Sequence, residues 1–341
     1  MHHLTRRGAI AALALSVAAA TASAAIFNET EPNDTKATAN IVAGITAGDS
    51  IVGNSTSSSG VGIDYFDVRV ATAPLGIYRH RLVITTQGTA GHTGSIRGLT
   101  QVAAPPDTLP GIPWDGVIGA PGTTESALQT SVTTPARFNQ WYGFGKGERF
   151  HYRVNGGTAT TADYVATMET VPVTPTNLGV FASGLITIST FGQGHSTDTD
   201  FWVYDENLNP IPGYGNDDES PLGGSPGTGA TLQGWLARSY GVGTYYLALS
   251  NFNVATNQPS PSDDDFRTGS LMEFPGVAVN TSSTVNLNLS FTIADSAGNV
   301  VSVADGKLGA FDINWYVFTV PEPGSLSLLA LGALAMGRRR R

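Results

Sequence analysis

Residues 63–70 read Ile63-Asp64-Tyr65-Phe66-Asp67-Val68-Arg69-Val70. In an extended chain successive side chains point to opposite sides, so Phe66, Val68 and Val70 share one face, and Tyr65, Asp67 and Arg69 the other. One apolar and one polar face is the signature of a strand that covers a core. The stretch Ile313-Asn314-Trp315-Tyr316-Val317-Phe318-Thr319-Val320 aligns with it, matching Phe66 to Tyr316, Val68 to Phe318 and Val70 to Val320. The match is short, but it points to an internal duplication.

Similar runs recur at Tyr78–Thr85, Phe150–Val154, Tyr164–Glu169, Gly184–Thr190, Asp200–Asp205, Thr244–Ser250, Thr284–Ile293 and Asp312–Val320. Gly, Pro, Asn and Asp separate them, and no long stretch shows helical apolar spacing outside the two termini. The expectation is an all-β protein of two antiparallel, jelly-roll-like β-sandwich domains. The proline-containing run Val171-Pro172-Val173-Thr174-Pro175-Thr176 marks the boundary, giving one domain over 25–172 and a second over 173–320. Residues 103–134 carry five prolines and little periodicity, and 213–229 is acidic and glycine-rich. Both read as long loops, where binding regions tend to lie.

The chain has 27 acidic and 18 basic residues, a formal net charge of −9. Six of the basic residues are Arg6, Arg7 and Arg338 to Arg341 at the two ends, so the body between them is more acidic still. A surface of that sign repels nucleic acid and anionic lipid and suits cations. There is no cysteine, so neither disulfides nor thiolate metal sites support the fold.

At the N-terminus Arg6-Arg7 precede an apolar run, Ala9 to Ala20, and then Ala22-Ser23-Ala24. Basic, apolar and small-residue segments in that order predict a secretory signal peptide over 1–24, cut by signal peptidase, with the mature chain starting at Ala25. Thr5-Arg6-Arg7 faintly suggests the twin-arginine route, with general secretion the default. The C-terminus reads Pro321-Glu322-Pro323, an apolar run to Gly337, and Arg338-Arg339-Arg340-Arg341. The prolines end the preceding strand and hold the chain extended. The apolar run is shorter than the roughly 20 residues that span a bilayer, and the arginines hold that end on the cytoplasmic side. A transient membrane stop is expected rather than a permanent anchor.

This tail, 321–341, resembles the PEP-CTERM sorting signal of Gram-negative bacteria. The resemblance implies recognition by exosortase, a membrane transpeptidase-like enzyme, and export in an organism that makes exopolysaccharide. It implies a location in the cell envelope, on the outer surface or outside the cell, reached through an inner-membrane intermediate.

Just inside the mature N-terminus lies Asn28-Glu29-Thr30-Glu31-Pro32-Asn33-Asp34-Thr35. An extended segment puts oxygens of Glu29, Glu31 and Asn33 on one side with Asp34 adjacent, an all-oxygen set of the kind calcium takes. With Ala39-Asn40 and Asp64-Tyr65-Phe66 the stretch resembles the bacterial pre-peptidase C-terminal domain, a β-sandwich of exported proteins some of which bind calcium. The resemblance implies Glu29, Glu31, Asn33, Asp34 and Asp64 as calcium ligands. The chain has Val61 where members with the full site have a second acid. A plain polar turn is the competing reading. In the second half Asp198-Thr199-Asp200, Gly215-Asn216-Asp217-Asp218-Glu219 and Gly243-Thr244-Tyr245-Tyr246 follow the same family order. Asp198, Asp200, Asp217 and Asp218 would form a second calcium site, against the alternative that they are turn residues. Asp263-Asp264-Asp265 reads as a solvated loop.

Signs of catalysis are poor. Gly223-Gly224-Ser225-Pro226-Gly227 fits the Gly-x-Ser-x-Gly pattern but lacks the strand-to-helix context of a nucleophile elbow. His80, His92, His151 and His195 are scattered without metal-ligand spacing. Sugar rings stack on exposed aromatics, and Trp114, Trp141, Tyr142, Trp202 and Trp235 are the candidates. Trp141-Tyr142 stands out, because adjacent strand residues face opposite sides and one should lie outside the core. The reading is a non-enzymatic surface or matrix protein associated with exopolysaccharide and biofilm, its sandwiches supported by calcium. A carbohydrate-binding module is the alternative, and a secreted hydrolase with an unrecognised site the third.

Overall fold

The computed structural model describes residues 23–54, 62–86, 91–102, 116–134, 136–156, 162–219, 225–226, 231–261 and 269–322. The first ten strands are β1 (Ile26–Asn28), β2 (Asn40–Ile45), β3 (Ser50–Gly53), β4 (Ile63–Val70), β5 (Ile77–Thr86), β6 (Thr93–Val102), β7 (Ala120–Thr130), β8 (Arg137–Gly143), β9 (Arg149–Asn155) and β10 (Tyr164–Val173). Then follow β11 (Thr176–Val180), β12 (Gly184–Ser189), β13 (Thr199–Tyr204), β14 (Pro210–Asn216), β15 (Trp235–Tyr240), β16 (Gly243–Asn251) and β17 (Val254–Ala255). The last are β18 (Ser270–Leu271), β19 (Val277–Asn280), β20 (Leu287–Asn288), β21 (Phe291–Asp295), β22 (Val300–Val303), β23 (Gly306–Lys307) and β24 (Asn314–Val320). The chain is all-β, as the alternation predicts.

The strands form four stacked sheets and a separate two-stranded pair, β20 with β23. An outer sheet, in the order β18-β6-β9-β4-β2 with β7 beside β6, packs on a seven-stranded sheet ordered β1-β3-β10-β5-β8-β19-β17. Their inward faces make the first core, with Phe66, Val68, Val70, Trp141, Phe150 and Tyr164 among its members. A five-stranded sheet, β11-β24-β16-β13-β14, packs on a four-stranded one, β15-β12-β21-β22, around a second core that contains Phe201, Val203, Tyr316, Phe318 and Val320. The aligned stretches 63–70 and 313–320 thus occupy β4 and β24, and each turns its matched residues into its own core. Most pairings are antiparallel, but β1 with β3, β2 with β4 and β11 with β24 are parallel.

The two sandwiches meet through a third apolar layer. Ile77, Tyr142, Phe144, Val254 and Ala278 come from the seven-stranded side, and Trp202, Tyr204, Ala248, Ile313 and Trp315 from the five-stranded side. Trp315 lies 5.6 Å from Phe144 and 5.2 Å from Tyr204, ring centre to ring centre. The central strands of both middle sheets, such as β8 and β13, are therefore covered on both faces. This accounts for runs such as Phe201-Trp202-Val203-Tyr204, in which every side chain is buried. A sheet covered on both sides selects continuous apolar strands, whereas a half-covered one selects alternation.

The expected boundary at 172/173 falls inside β10, which pairs with β5 as far as Val173 opposite Ile77. The second half also returns to the first sandwich. Three residues beyond the end of β16, Val254 opens β17, which pairs with β19, and β19 pairs with β8. Ser270 and Leu271 of β18 pair with Thr100 and Leu99 of β6. The segment 254–280 so supplies strands to both sheets of the first sandwich. Two expected elements also differ. Part of the expected loop at 103–134 is β7, an eleven-residue strand that hydrogen-bonds β6 despite its weak alternation. The expected strand Thr284–Ile293 is broken, because Asn286 sits at φ 57° and Asn288 Oδ1 accepts from Ser290 N at 2.8 Å in a turn.

Buried polar groups fasten the crossing. The Val254 backbone N–H donates to Asp200 Oδ2, and Thr281 N donates to Asn253 O at 2.9 Å. Lys307 is fully buried, and its Nζ donates to Asn251 Oδ1 (2.7 Å), Asn280 Oδ1 (3.0 Å) and Ser282 O (2.7 Å). Gln129 Nε2 donates to Gln140 O and to Asn280 O, both at 2.8 Å. Burial of an ammonium disfavours its charged form and pushes Lys307 down to about 8, with Asp312 opposing.

Two outcomes follow. Trp315→Ala empties the seam between the sandwiches and should cost about 3–5 kcal/mol in urea unfolding. Between about pH 8 and 10.5 the unfolded chain keeps a Lys307 proton that the folded chain has lost, so this residue's contribution to stability rises with pH. Below that window both states are protonated and the contribution is gone. Wild type should gain about 2 kcal/mol relative to Lys307→Met between roughly pH 8 and 9.5 in the same assay.

Candidate functional site

The acidic N-terminal segment closes one mouth of the first sandwich. Strand β1 runs parallel to β3, and Glu29 N donates to Val52 O at 2.9 Å, which holds Glu29 at the end of the seven-stranded sheet. Asp64 is the second residue of β4 on the facing sheet. It shares the inward side with Phe66 and Val68 by strand parity, and it is fully buried. Tyr164, the first residue of β10, spans the gap: its hydroxyl donates to Asp64 Oδ2 at 2.7 Å and lies 3.5 Å from Glu29 Oε2. Asn54 N donates to Glu29 Oε1 at 2.8 Å. Gly53 makes room for this group, since a Cβ there would overlap the Glu29 carboxylate and stand 2.6 Å from Tyr164 Oη.

The Glu31–Asn33–Asp34 turn lies over the same mouth. Asn33 N donates to Glu31 Oε2 at 3.1 Å, Tyr65 N donates to Asn33 O at 2.8 Å, and Asn33 Nδ2 donates to Asn40 Oδ1 at 3.2 Å. Burial raises the Glu29 carboxyl well above the usual range, and nearby Asp64 and Glu31 add to it against the Asn54 amide. Burial raises Asp64 as well, with Glu31 and Asp34 adding and the Tyr164 hydroxyl opposing. Three buried acceptors, Asn33 Oδ1, Asp34 Oδ1 and Asp64 Oδ1, have no hydrogen-bond partner. All five residues expected as ligands belong to this one region. Among the described residues, however, no three acid or imidazole side chains converge as a finished metal site. The donor set is all oxygen, negatively charged and short of hydrogen-bond donors, which fits a hard cation such as calcium.

Tyr164, Asn40 and Asn54 were not among the expected residues. Tyr164 carried a signal, as a tyrosine starting an alternating strand with Ala166 and Met168 on its inward side; Asn40 and Asn54 act through local loop geometry that alternation does not show.

The second expected set lies in the other sandwich, around β13 and the turn after β14. Asp200 is buried and accepts from the backbone of β17, so it fastens the crossing strand. Asp217 Oδ1 accepts from Asp218 N at 2.9 Å in a turn after β14. Burial pushes Asp198 up to about 6. The aromatic pair is corrected too: Trp141 is buried in the first core, and Tyr142 in the seam, where its hydroxyl accepts from Ile313 N at 3.0 Å. Opposite faces of β8 were expected to put one of them in solvent, but a second sandwich covers that face. Trp202 is buried in the same seam, and Trp235 is half-buried. Trp114, Gly223, Gly224, Gly227, Asp263 to Asp265, most of the signal segment and the tail beyond Glu322 lie outside the described residues. Ser225 donates to the buried Glu219 at 2.6 Å. His151 Nδ1 hydrogen-bonds Glu273 at 2.8 Å, and His195 Nε2 hydrogen-bonds Ser290 O at 2.9 Å.

Strand β24 ends at Val320, and Pro321 and Glu322 leave the body there. No curated protein matches the chain. Residues 319–341 match the PEP-CTERM protein-sorting motif, so the chain carries a C-terminal signal for exosortase-dependent sorting to the cell envelope or surface.

Proposed function

We propose that this is a non-enzymatic surface or matrix protein of an exopolysaccharide layer, sorted by its tail and supported by calcium at the acidic mouth of the first sandwich. The observation that carries the sorting half is the tail motif, placed directly after the last strand of the second core. The calcium half is supported by the unpartnered oxygens of Asn33, Asp34 and Asp64 beside Glu29. A cation there would replace missing donors and offset the repulsion between the acids. Glu31 is exposed and would complete the set from the rim.

A carbohydrate module that stacks sugars on tryptophan has less support, because every tryptophan among the described residues is buried or half-buried. The functional test is retention of the protein on the producing organism's own exopolysaccharide, with calcium and with chelator. Saturable retention that chelator abolishes is expected; no retention under either condition would sink the matrix assignment.

Two further outcomes test the parts. Calcium at about one hundred times its Kd should stabilise the wild type by about 3 kcal/mol in urea unfolding. Asp64→Asn should lose that gain without losing stability in chelator, since it removes one of two crowded acids. Replacing Pro321, Glu322 and Pro323 by alanine should leave the protein in the membrane fraction with Arg338–Arg341 attached. Intact mass of the wild-type surface protein should lack those arginines, and their presence would mean that the tail is a simple anchor.

A further inference from the structure

The opposite mouth of the first sandwich, where β2 ends at Ile45 and β4 at Val70, holds an open pocket of about 350 Å³. Ile45, Val70, Ala71 and Ala73 give it apolar walls, and Tyr78 adds an aromatic ring. Besides Tyr78, two titratable side chains line it, His80 from β5 and Glu148 from the connection between β8 and β9. They are 4% and 2% exposed. Each has one satisfied and one unsatisfied end. His80 Nδ1 hydrogen-bonds Thr170 Oγ1 at 2.9 Å while Nε2 has no partner. Glu148 Oε1 accepts from Phe144 N at 2.5 Å and Lys146 N at 2.9 Å while Oε2 has none.

Both side chains converge on Gly143. A Cβ built on Gly143 would lie 2.9 Å from His80 Nε2 and 2.8 Å from Glu148 Cδ, so only a glycine at 143 lets both side chains approach. Stacking of His80 between Tyr78 (6.2 Å) and Trp141 (5.4 Å) fixes the imidazole plane. Burial pushes the imidazole down to about 4, which keeps it neutral at neutral pH. With the Thr170 hydroxyl donating to Nδ1, the ring proton sits on Nε2. The reverse tautomer would set two bare acceptors side by side, which burial penalises. Behind the pocket wall lie one unpaired donor and one unpaired acceptor, and a hydroxyl is the group that satisfies both at once.

We propose that this pocket binds a small neutral polyhydroxylated ring, such as the end residue of a polysaccharide, one of whose hydroxyls accepts from His80 Nε2–H and donates to Glu148 Oε2. The volume lies at the small end for ligand sites, which suits one ring and not a chain. Tyr78 supplies the aromatic surface on which the apolar face of a sugar rests. The lining residues include no lysine or arginine, so a uronic acid would meet the Glu148 carboxylate with nothing to balance its charge. The choice of a sugar end rests on the exopolysaccharide reading above; the hydroxyl-binding chemistry does not.

The test is ligand-observed NMR on the full chain in detergent, with the methyl α-glycosides of glucose, galactose and mannose, and with methyl glucuronide as the charged comparator. At least one neutral glycoside should bind saturably, with a Kd of about 1 mM, and the glucuronide should not bind. His80→Phe keeps the ring stack but removes Nε2 and should weaken binding about tenfold or more. Ala73→Leu fills the pocket from its exposed rim, leaves the cores intact and should abolish binding. No saturation by any neutral glycoside, or binding unchanged in Ala73→Leu, would overturn the proposal. Native polysaccharide retained equally by Ala73→Leu, with no glycoside binding, would remove the pocket and spare the matrix assignment. Glycoside binding without retention of polysaccharide would keep the pocket and sink that assignment.

Discussion

The structure depends on covering both faces of the central strands of its two middle sheets with apolar surface. Each sandwich buries one face of its sheets in its own core, as any sandwich must. The seam between them buries a further face of each middle sheet through Tyr142, Phe144, Trp202, Tyr204 and Trp315. Aromatic side chains remove large areas from water, and their tilted and edge-on contacts add specific geometry. In a chain with no cysteine this layer does what cross-links do in many exported proteins, joining two sandwiches into one block.

Burying so much sheet also brings polar groups inside, and there the fold is most constrained. Lys307 has an amide oxygen or carbonyl for each of its three ammonium donors, and Gln129 and Asp200 satisfy backbone groups of the crossing segment. Satisfied groups of this kind add modest net stability but penalise every alternative arrangement, because an unpaired buried donor or charge is expensive. They therefore define where the second half re-enters the first sandwich. Apolar contacts alone would tolerate a shift.

The two proposed sites lie where the inward faces run out. Along β4 the inward positions begin with Asp64, pass through Phe66 and Val68, and end at Val70 beside the pocket. At the first end the acids crowd together with too few donors; at the second, His80 and Glu148 present complementary unsatisfied atoms. Both ends combine the low polarity of a core with access from solvent, the setting in which a polar or ionic contact is strongest. The body can serve as a rigid carrier for the two mouths while the tail decides where the carrier is delivered.

Local pattern was sufficient to show the class of fold, the inward residues of β4 and β24, the acidic segment of Glu29, Glu31, Asn33 and Asp34, and the sorting tail, whereas the place of Asp64 beside that segment was implied by a family resemblance. Alternation is a property of neighbouring residues, and so are acid spacing and the order of proline, apolar and arginine segments. What covers the outer face of a strand is not such a property. The burial of Tyr142 and Trp202, the return of 254–280 to the first sandwich and the use of Asp200 as a fastener all depend on distant residues, from 54 positions away for Asp200 to 171 for Tyr142. The same holds for the His80–Glu148 pair, since a histidine on one strand and a glutamate on a later connection between sheets show no common period. Sequence alone determined which strands could form and where the chain is sent; only the tertiary structure decided which faces meet, because that depends on two surfaces matching in shape and hydrogen bonding at once.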